Sequence, residues 1–199
     1  MSGPMRWRPA HCKPLVACLV ALWLVPLPWP VYGASEKTVF QVLYAETQIV
    51  NKVLRLNAGF DVRFSPQLKE AIHRGVEVAV VIEIDVIRER SYLWNEAVAR
   101  VTQRYQIRYS DLTRRYIVHN LNVGTRFSLP NLAAVTAVIA SMVDFPFLDY
   151  SLLQSGERYL GRIRVGVDVE SLPVPLRLRA YVSPAWHMTS RWFTWRLQP

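Results

Sequence analysis

Cysteine is missing from almost the whole chain. Both of its cysteines, Cys12 and Cys18, fall within the first 33 residues. A product that begins at residue 34 therefore has no disulfide, no thiolate nucleophile and no cysteine metal site. Lysine is scarce as well: after residue 33 only Lys37, Lys52 and Lys69 remain, and every other basic side chain is arginine. The arginines are spread along the chain rather than clustered, which fits a coding bias better than a polyanion tract. Glycine is sparse, with 8 in 199 residues. No G-x-S-x-G elbow, phosphate loop or dinucleotide fingerprint occurs. His73, His119 and His187 share no short ligand spacing, and His73 to Glu77 crosses a helix end rather than forming a helical zinc pair. No catalytic residue, no metal ligand and no cofactor is assigned from the sequence.

Long apolar runs are lacking too. The stretch Leu15–Val25 stops after eleven residues, at the first of Pro26, Pro28 and Pro30. A membrane span needs about 20 apolar residues. Arg6, Arg8 and Lys13 precede the run and small residues follow it, the order of a secretory signal peptide. Val31 and Gly33 sit at −3 and −1 of a cut before Ala34. The expectation is a signal peptide over 1–33, cleavage near Gly33–Ala34, and a periplasmic product; an uncleaved inner-membrane anchor is the alternative. "LVAC" (Leu15–Cys18) has the form of a lipobox, but it opens the apolar region where a lipobox should close it. Three of the 24 Lys and Arg lie before residue 34, leaving 21 against 15 acidic residues, a formal +6. The remaining length suits one domain, 34–199, with an adequate core.

What the chain has in abundance is alternation. Leu54, Leu56, Ala58, Phe60, Val62 and Phe64 alternate with polar or small residues. So do Val76 to Val86, Val101 to Tyr109 and Ile163 to Val169. Side chains two apart share a face of a strand, so each segment buries one face and wets the other. That pattern specifies antiparallel rather than parallel sheet. Tyr109–Tyr116 reads as a hairpin connection, Glu170–Leu176 as a proline-stiffened loop, and "VDFPFLDY" (143–150) as a loop.

Two helices are expected. Over 65–75, Ser65 serves as N-cap, Pro66 opens the helix and Gly75 ends it. Over 128–143, Leu132, Val135, Ile139 and Met142 recur at helical spacing without a charge, which predicts burial against a sheet. The fold class is α+β and β-rich: an antiparallel sheet or sandwich of about eight strands with two helices.

Candidate contact residues come from charge and aromaticity. Glu77, Glu83 and Asp85 share one strand face, where arginines such as Arg100, Arg104 and Arg108 are expected to meet them. A glycosidase-like carboxylate pair is the sharper reading, and an ordinary polar face the simpler one. Residues 161–169 and 176–182 are expected to form a hairpin that sets Arg177 opposite Asp168 and Tyr181 opposite Arg164. Its outer face would carry Arg162, Arg164, Arg177 and Arg179, a basic patch for an anionic envelope polymer. The chain ends in "AWHMTSRWFTWRLQP". Period two places Trp195 with Phe193 and Leu197 in the core, and Trp192 with Arg196 on the open face.

Taken together, "LKEAIHRGVEV", "YSDLTRRYIV", "SLPVPLRLRAY" and "AWHMTSRWFTWRL" resemble the uncharacterised exported proteins of proteobacteria often labelled proline-rich signal peptide proteins, domain-of-unknown-function family 4390. The resemblance implies a signal peptide, a single β-rich domain and no catalytic residue. It also implies, through gene neighbourhood, a membrane sensor kinase as an envelope protein partner. The expected function is an exported, non-enzymatic envelope domain that binds a protein partner or envelope component, with no nucleic acid involved. Partner contacts would fall on Trp192, Arg196, Arg162, Arg164, Arg177 and Arg179. The alternatives are a cell-wall or glycan hydrolase using Glu83, Asp85 or His187, and an assembly or sensing accessory tethered to the inner membrane.

Overall fold

Residues 39–90, 94–183, 185–186 and 188–197 are described by a computed structural model. The expected signal segment and His187 lie outside these residues. Strands β1 (Val39–Val50), β2 (Val53–Arg63) and β7 (Ser141–Asp149) form one sheet in the order β1-β2-β7. A second sheet runs β6 (Arg126–Leu129), β5 (Arg115–Asn120), β4 (Glu96–Ser110), β3 (Val78–Arg88), β8 (Tyr159–Val167) and β9 (Phe193–Leu197). Every strand pair is antiparallel. The α+β, β-rich fold expected from alternation is thus found, with nine strands among the described residues rather than about eight.

The alternation explains the core. Leu54, Leu56 and Phe60 of β2, Val80, Ile82 and Ile84 of β3, and Ile163 and Val165 of β8 belong to one buried cluster. Each strand turns its apolar row inward, and the two inner faces enclose that cluster. β1 and β2 are joined by Asn51 and Lys52 alone, at φ 53° and 62°. Two left-handed residues match the twist of the flanking strands, so this short turn pins the register of the pair. β3 lies between β4 and β8, one of the two central positions of the larger sheet.

Helix α1 (Pro66–His73) follows its sequence signals. The Ser65 hydroxyl oxygen accepts from the Leu68 amide at 3.2 Å and donates to the Ala185 carbonyl at 2.6 Å. Leu68, Ala71 and Ile72 are buried. Gly75, at φ 80°, ends the helix in a conformation that costs other residues a Cβ clash.

Three expectations need correction. The apolar stretch 128–143 is not one helix. Only α2 (Leu132–Ile139) is helical, capped by Asn131, whose Oδ1 accepts from the Ala134 amide at 2.8 Å. Pro130 favours an extended residue before it, and β6 ends at Leu129. The stretch read as a loop, "VDFPFLDY", lies almost wholly in β7, an edge strand where Pro146 is tolerated.

The third correction concerns 176–182, which form no hairpin strand but α3 (Val174–Val182). Leu176, Leu178, Ala180 and Val182 alternate in sequence, but burial follows a spacing of four. Leu172 and Ala180 are buried and Leu176 packs on the core, while Leu178 and Val182 are exposed. Proline presets a helical φ in a first turn, where its missing amide is not needed, so Pro175 suits the start of α3. The expected facing of Arg177 with Asp168 and of Tyr181 with Arg164 therefore does not occur. Both side chains instead meet Glu170, Arg177 through Nη1 at 3.5 Å and Tyr181 through its hydroxyl.

No helix among the described residues is long and apolar enough to cross a membrane.

Candidate functional site

The outer face of the larger sheet collects most of the charged residues singled out in the sequence. Position 85 of β3 faces Arg100 of β4 on one side and Arg162 of β8 on the other. Arg100 donates to the Asp85 carboxylate from Nε at 2.7 Å and Nη2 at 3.1 Å. Arg162 donates from Nε at 2.9 Å and Nη2 at 2.7 Å. Asp85 was expected to face water; its side chain is only 2% exposed, roofed by the two guanidiniums. Burial alone would raise its pKa, but the hydrogen bonds from Arg100 and Arg162 outweigh that and hold it below the usual carboxylate value.

A stability prediction follows. A depressed folded pKa contributes stability that is present above the unfolded carboxylate pKa, about 3.9, and lost as pH falls through the folded value. Asp85→Asn should cost about 2 kcal/mol at pH 7, the scale of charge-assisted hydrogen bonds lost from a buried acceptor. In urea titrations the gap between wild type and variant should shrink below about pH 4. A gap independent of pH would show that the charge of Asp85 is not what stabilises the site.

One step along the same face, Glu83 is opposite Arg164 and ion-paired to it. Arg104 reaches Asp168 at 3.5 Å. Trp192 lies over the β8 arginines, with both the Arg162 and Arg164 guanidinium carbons 4.5 Å from its ring centroid. A bulge in the ladder accompanies this placement. Between the Gly166–Thr189 bridge and the Ile163–Phe193 pair, β8 has two residues and the facing segment has three. Such an extra residue bends the strand locally and re-aims side chains. Arg196 projects from β9 opposite Leu160, exposed and without a hydrogen bond or ion pair among the described residues.

The six sequence candidates thus separate. Arg162, Arg164, Trp192 and Arg196 are brought together on one face. Arg177 is on α3, half-buried, where Nη2 donates to the Leu172 carbonyl at 3.2 Å. Arg179 is also on α3, and its side chain is outside the described set. Trp195 turns to the core as expected. Its ring covers Gly161, and its Nε1 donates to Thr47 Oγ1 at 2.8 Å.

Beside the Glu83–Arg164 pair a cavity of about 410 Å³ opens, lined also by Gly166, Asp168, Glu170 and Tyr181. Asp85 does not line it. His73 is engaged by tyrosines: its Nδ1 is 3.3 Å from the Tyr116 hydroxyl and its ring packs on Tyr109. Sequence reasoning paired β3 with the arginines of β4 but missed those of β8 as partners for the same carboxylates. No local signal could supply that link, because Asp85 and Arg162 are 77 residues apart.

Comparison with known proteins adds one finding. A family model described as a domain of unknown function (DUF4390) matches residues 37–196. No curated protein and no solved structure matches the chain.

Proposed function

We propose, from the premise that this chain belongs to the DUF4390 family of domains of unknown function, that it is an exported, non-enzymatic envelope domain that binds a protein partner or envelope component through the outer face of its larger sheet. The observation that carries this reading is the arrangement at the β8–β9 edge. Trp192 is held over two arginines that are themselves fixed by Glu83 and Asp85, and Arg196, without a partner among the described residues, stands on the same face. An aromatic ring on a rigid charged shelf loses little side-chain entropy when a partner covers it.

The chemistry of the carboxylates argues against the hydrolase alternative. A glycosidase needs one carboxyl with a raised pKa as its acid. Asp85 is shifted the other way and bonded on both sides by arginine. Glu83 reaches the cavity but is committed to Arg164. Turnover of an envelope substrate by the purified protein, abolished by one acidic substitution, would overturn the non-enzymatic reading.

The binding test is a pull-down from envelope extracts with wild type, Trp192→Ala and Arg196→Gln. Removing the Trp192 ring should cost under about 1 kcal/mol of stability, the scale of an exposed cation–π contact. It should nonetheless lose the partner that wild type captures. Equal capture by all three would place the contact elsewhere. Export and cleavage before Ala34 are checked by fractionation and N-terminal sequencing, which also separate a free periplasmic domain from one tethered to the inner membrane.

A further inference from the structure

At the far side of the same sheet the arginines are arranged differently. Arg100, Arg162 and Arg164 are each matched to a carboxylate at hydrogen-bond distance. Arg108 of β4 is not. Its nearest carboxylate contact, Nη1 to Glu77 Oε1, is 3.8 Å, too long for a hydrogen bond. The Glu77 carboxylate is instead engaged by Gln106, whose Nε2 donates to Oε2 at 2.7 Å. Arg126 of β6 and His119 of β5 face each other across the ladder, and neither side chain has a hydrogen-bond or ion-pair partner among the described residues. His119 is also opposite Gln106, so Arg108 is its diagonal neighbour. These groups, with Ile117 as an apolar wall, line a cavity of about 270 Å³.

We infer that this cavity is an oxyanion seat for a phosphate-type group, built by Arg108, His119 and Arg126. Two guanidinium forks and an imidazole converge on one opening that holds a single carboxylate, and that carboxylate is already hydrogen-bonded. The donors come from three adjacent strands, β4, β5 and β6. A carboxylate offers two coplanar oxygens, which one arginine fork satisfies. A tetrahedral phosphate offers oxygens in several directions and satisfies all three donors at once. The inference goes beyond the partner-binding reading. It uses none of the residues at the β8–β9 edge and needs no protein partner.

The test is titration of the purified protein with inorganic phosphate at low ionic strength, followed by calorimetry or amide shifts, with acetate in parallel. Phosphate should bind more tightly than acetate. Arg108→Gln and Arg126→Gln should each weaken phosphate binding about tenfold, the loss expected for a charge-assisted hydrogen bond. Arg158→Gln, an equal charge change just before β8, beside Glu89 at the other end of β3 from the cavity, should leave it unchanged. Both cavity arginines are exposed enough that the variants should keep the wild-type circular dichroism and unfolding midpoint. Absence of phosphate binding, or an equal loss in Arg158→Gln, would overturn the site as mere surface attraction. Phosphatidylglycerol vesicles and a soluble glycerol phosphate polymer then separate the sources. Binding to one that Arg126→Gln removes identifies the natural carrier of the group. Vesicle binding without any response to soluble phosphate would overturn the seat. None of these outcomes depends on Trp192, so the seat and the partner face can fail separately.

Discussion

Val80→Asp should abolish soluble folding. Val80 is fully buried near the start of β3, opposite Tyr105 on β4 and Val167 on β8. Its neighbours on the same face, Val78 and Ile82, are buried as well. A carboxylate there would have no arginine beside it: the arginines of β4 and β8 project to the other side, and Arg88, on the same face of β3, is at the far end of the strand and paired with Glu96. An uncompensated buried charge costs several kcal/mol even after its pKa adjusts. A domain of this size has only about 5–15 kcal/mol of stability in total. The variant should collect in the insoluble fraction, and any soluble portion should lack a cooperative urea transition. Val80→Ala, which removes two methyl-sized groups, should cost about 2 kcal/mol and remain folded. If Val80→Asp unfolded at the wild-type urea midpoint, the register of β3 would be off by one residue, since a one-residue slip exchanges the two faces of a strand.

Trp195→Ala should be the most damaging truncation at the chain's C-terminal strand, at about 3 kcal/mol, the lower end of the range for large aromatic residues because the ring is only partly buried. The ring does two things at once. It fills the space above Gly161, where a Cβ would approach Trp195 Cζ2 to 2.4 Å. Its indole N–H bonds Thr47 on β1, which ties the edge of the larger sheet to the smaller one. Trp195→Phe retains part of the packing but loses the bond, and should cost about 1 kcal/mol. Gly161→Ala tests the same contact from the other strand and should also destabilise, since the rigid ring must move away. Urea unfolding of the three variants beside Trp192→Ala separates the two tryptophans. Equal small losses for Trp192→Ala and Trp195→Ala would mean that Trp195 does not join the sheets.

Much of the fold could be read from the chain because its signals are local. The alternating rows of β2, β3, β4 and β8 each state which face is buried, and Ser65, Pro66 and Gly75 state where α1 begins and ends. The failures occurred where two periods fit the same residues. In "LPVPLRLRAYV" the alternation of leucine with arginine suits a strand, while Leu172, Leu176 and Ala180 suit a helix. Burial decides between them, and burial belongs to the folded chain. In 128–143 the uncharged run concealed the ends of two strands around a helix of eight residues, because the apolar spacing runs on past both ends of the helix and outweighed the boundary signals of Pro130 and Asn131.

The candidate sites were legible only as parts. The sequence by itself determined that Trp192 and Arg196 would share a face, that Trp195 would be inward, and that Glu83 and Asp85 would point the same way, since side-chain direction on a strand depends on parity alone. The tertiary structure decided which strands became neighbours. That choice placed β8 beside β3, sealed Asp85 between Arg100 and Arg162, and left Arg108, His119 and Arg126 around an opening with no carboxylate to spare. Strand order is set by how the apolar faces of distant segments pack into one core, and no stretch of the chain carries that information alone.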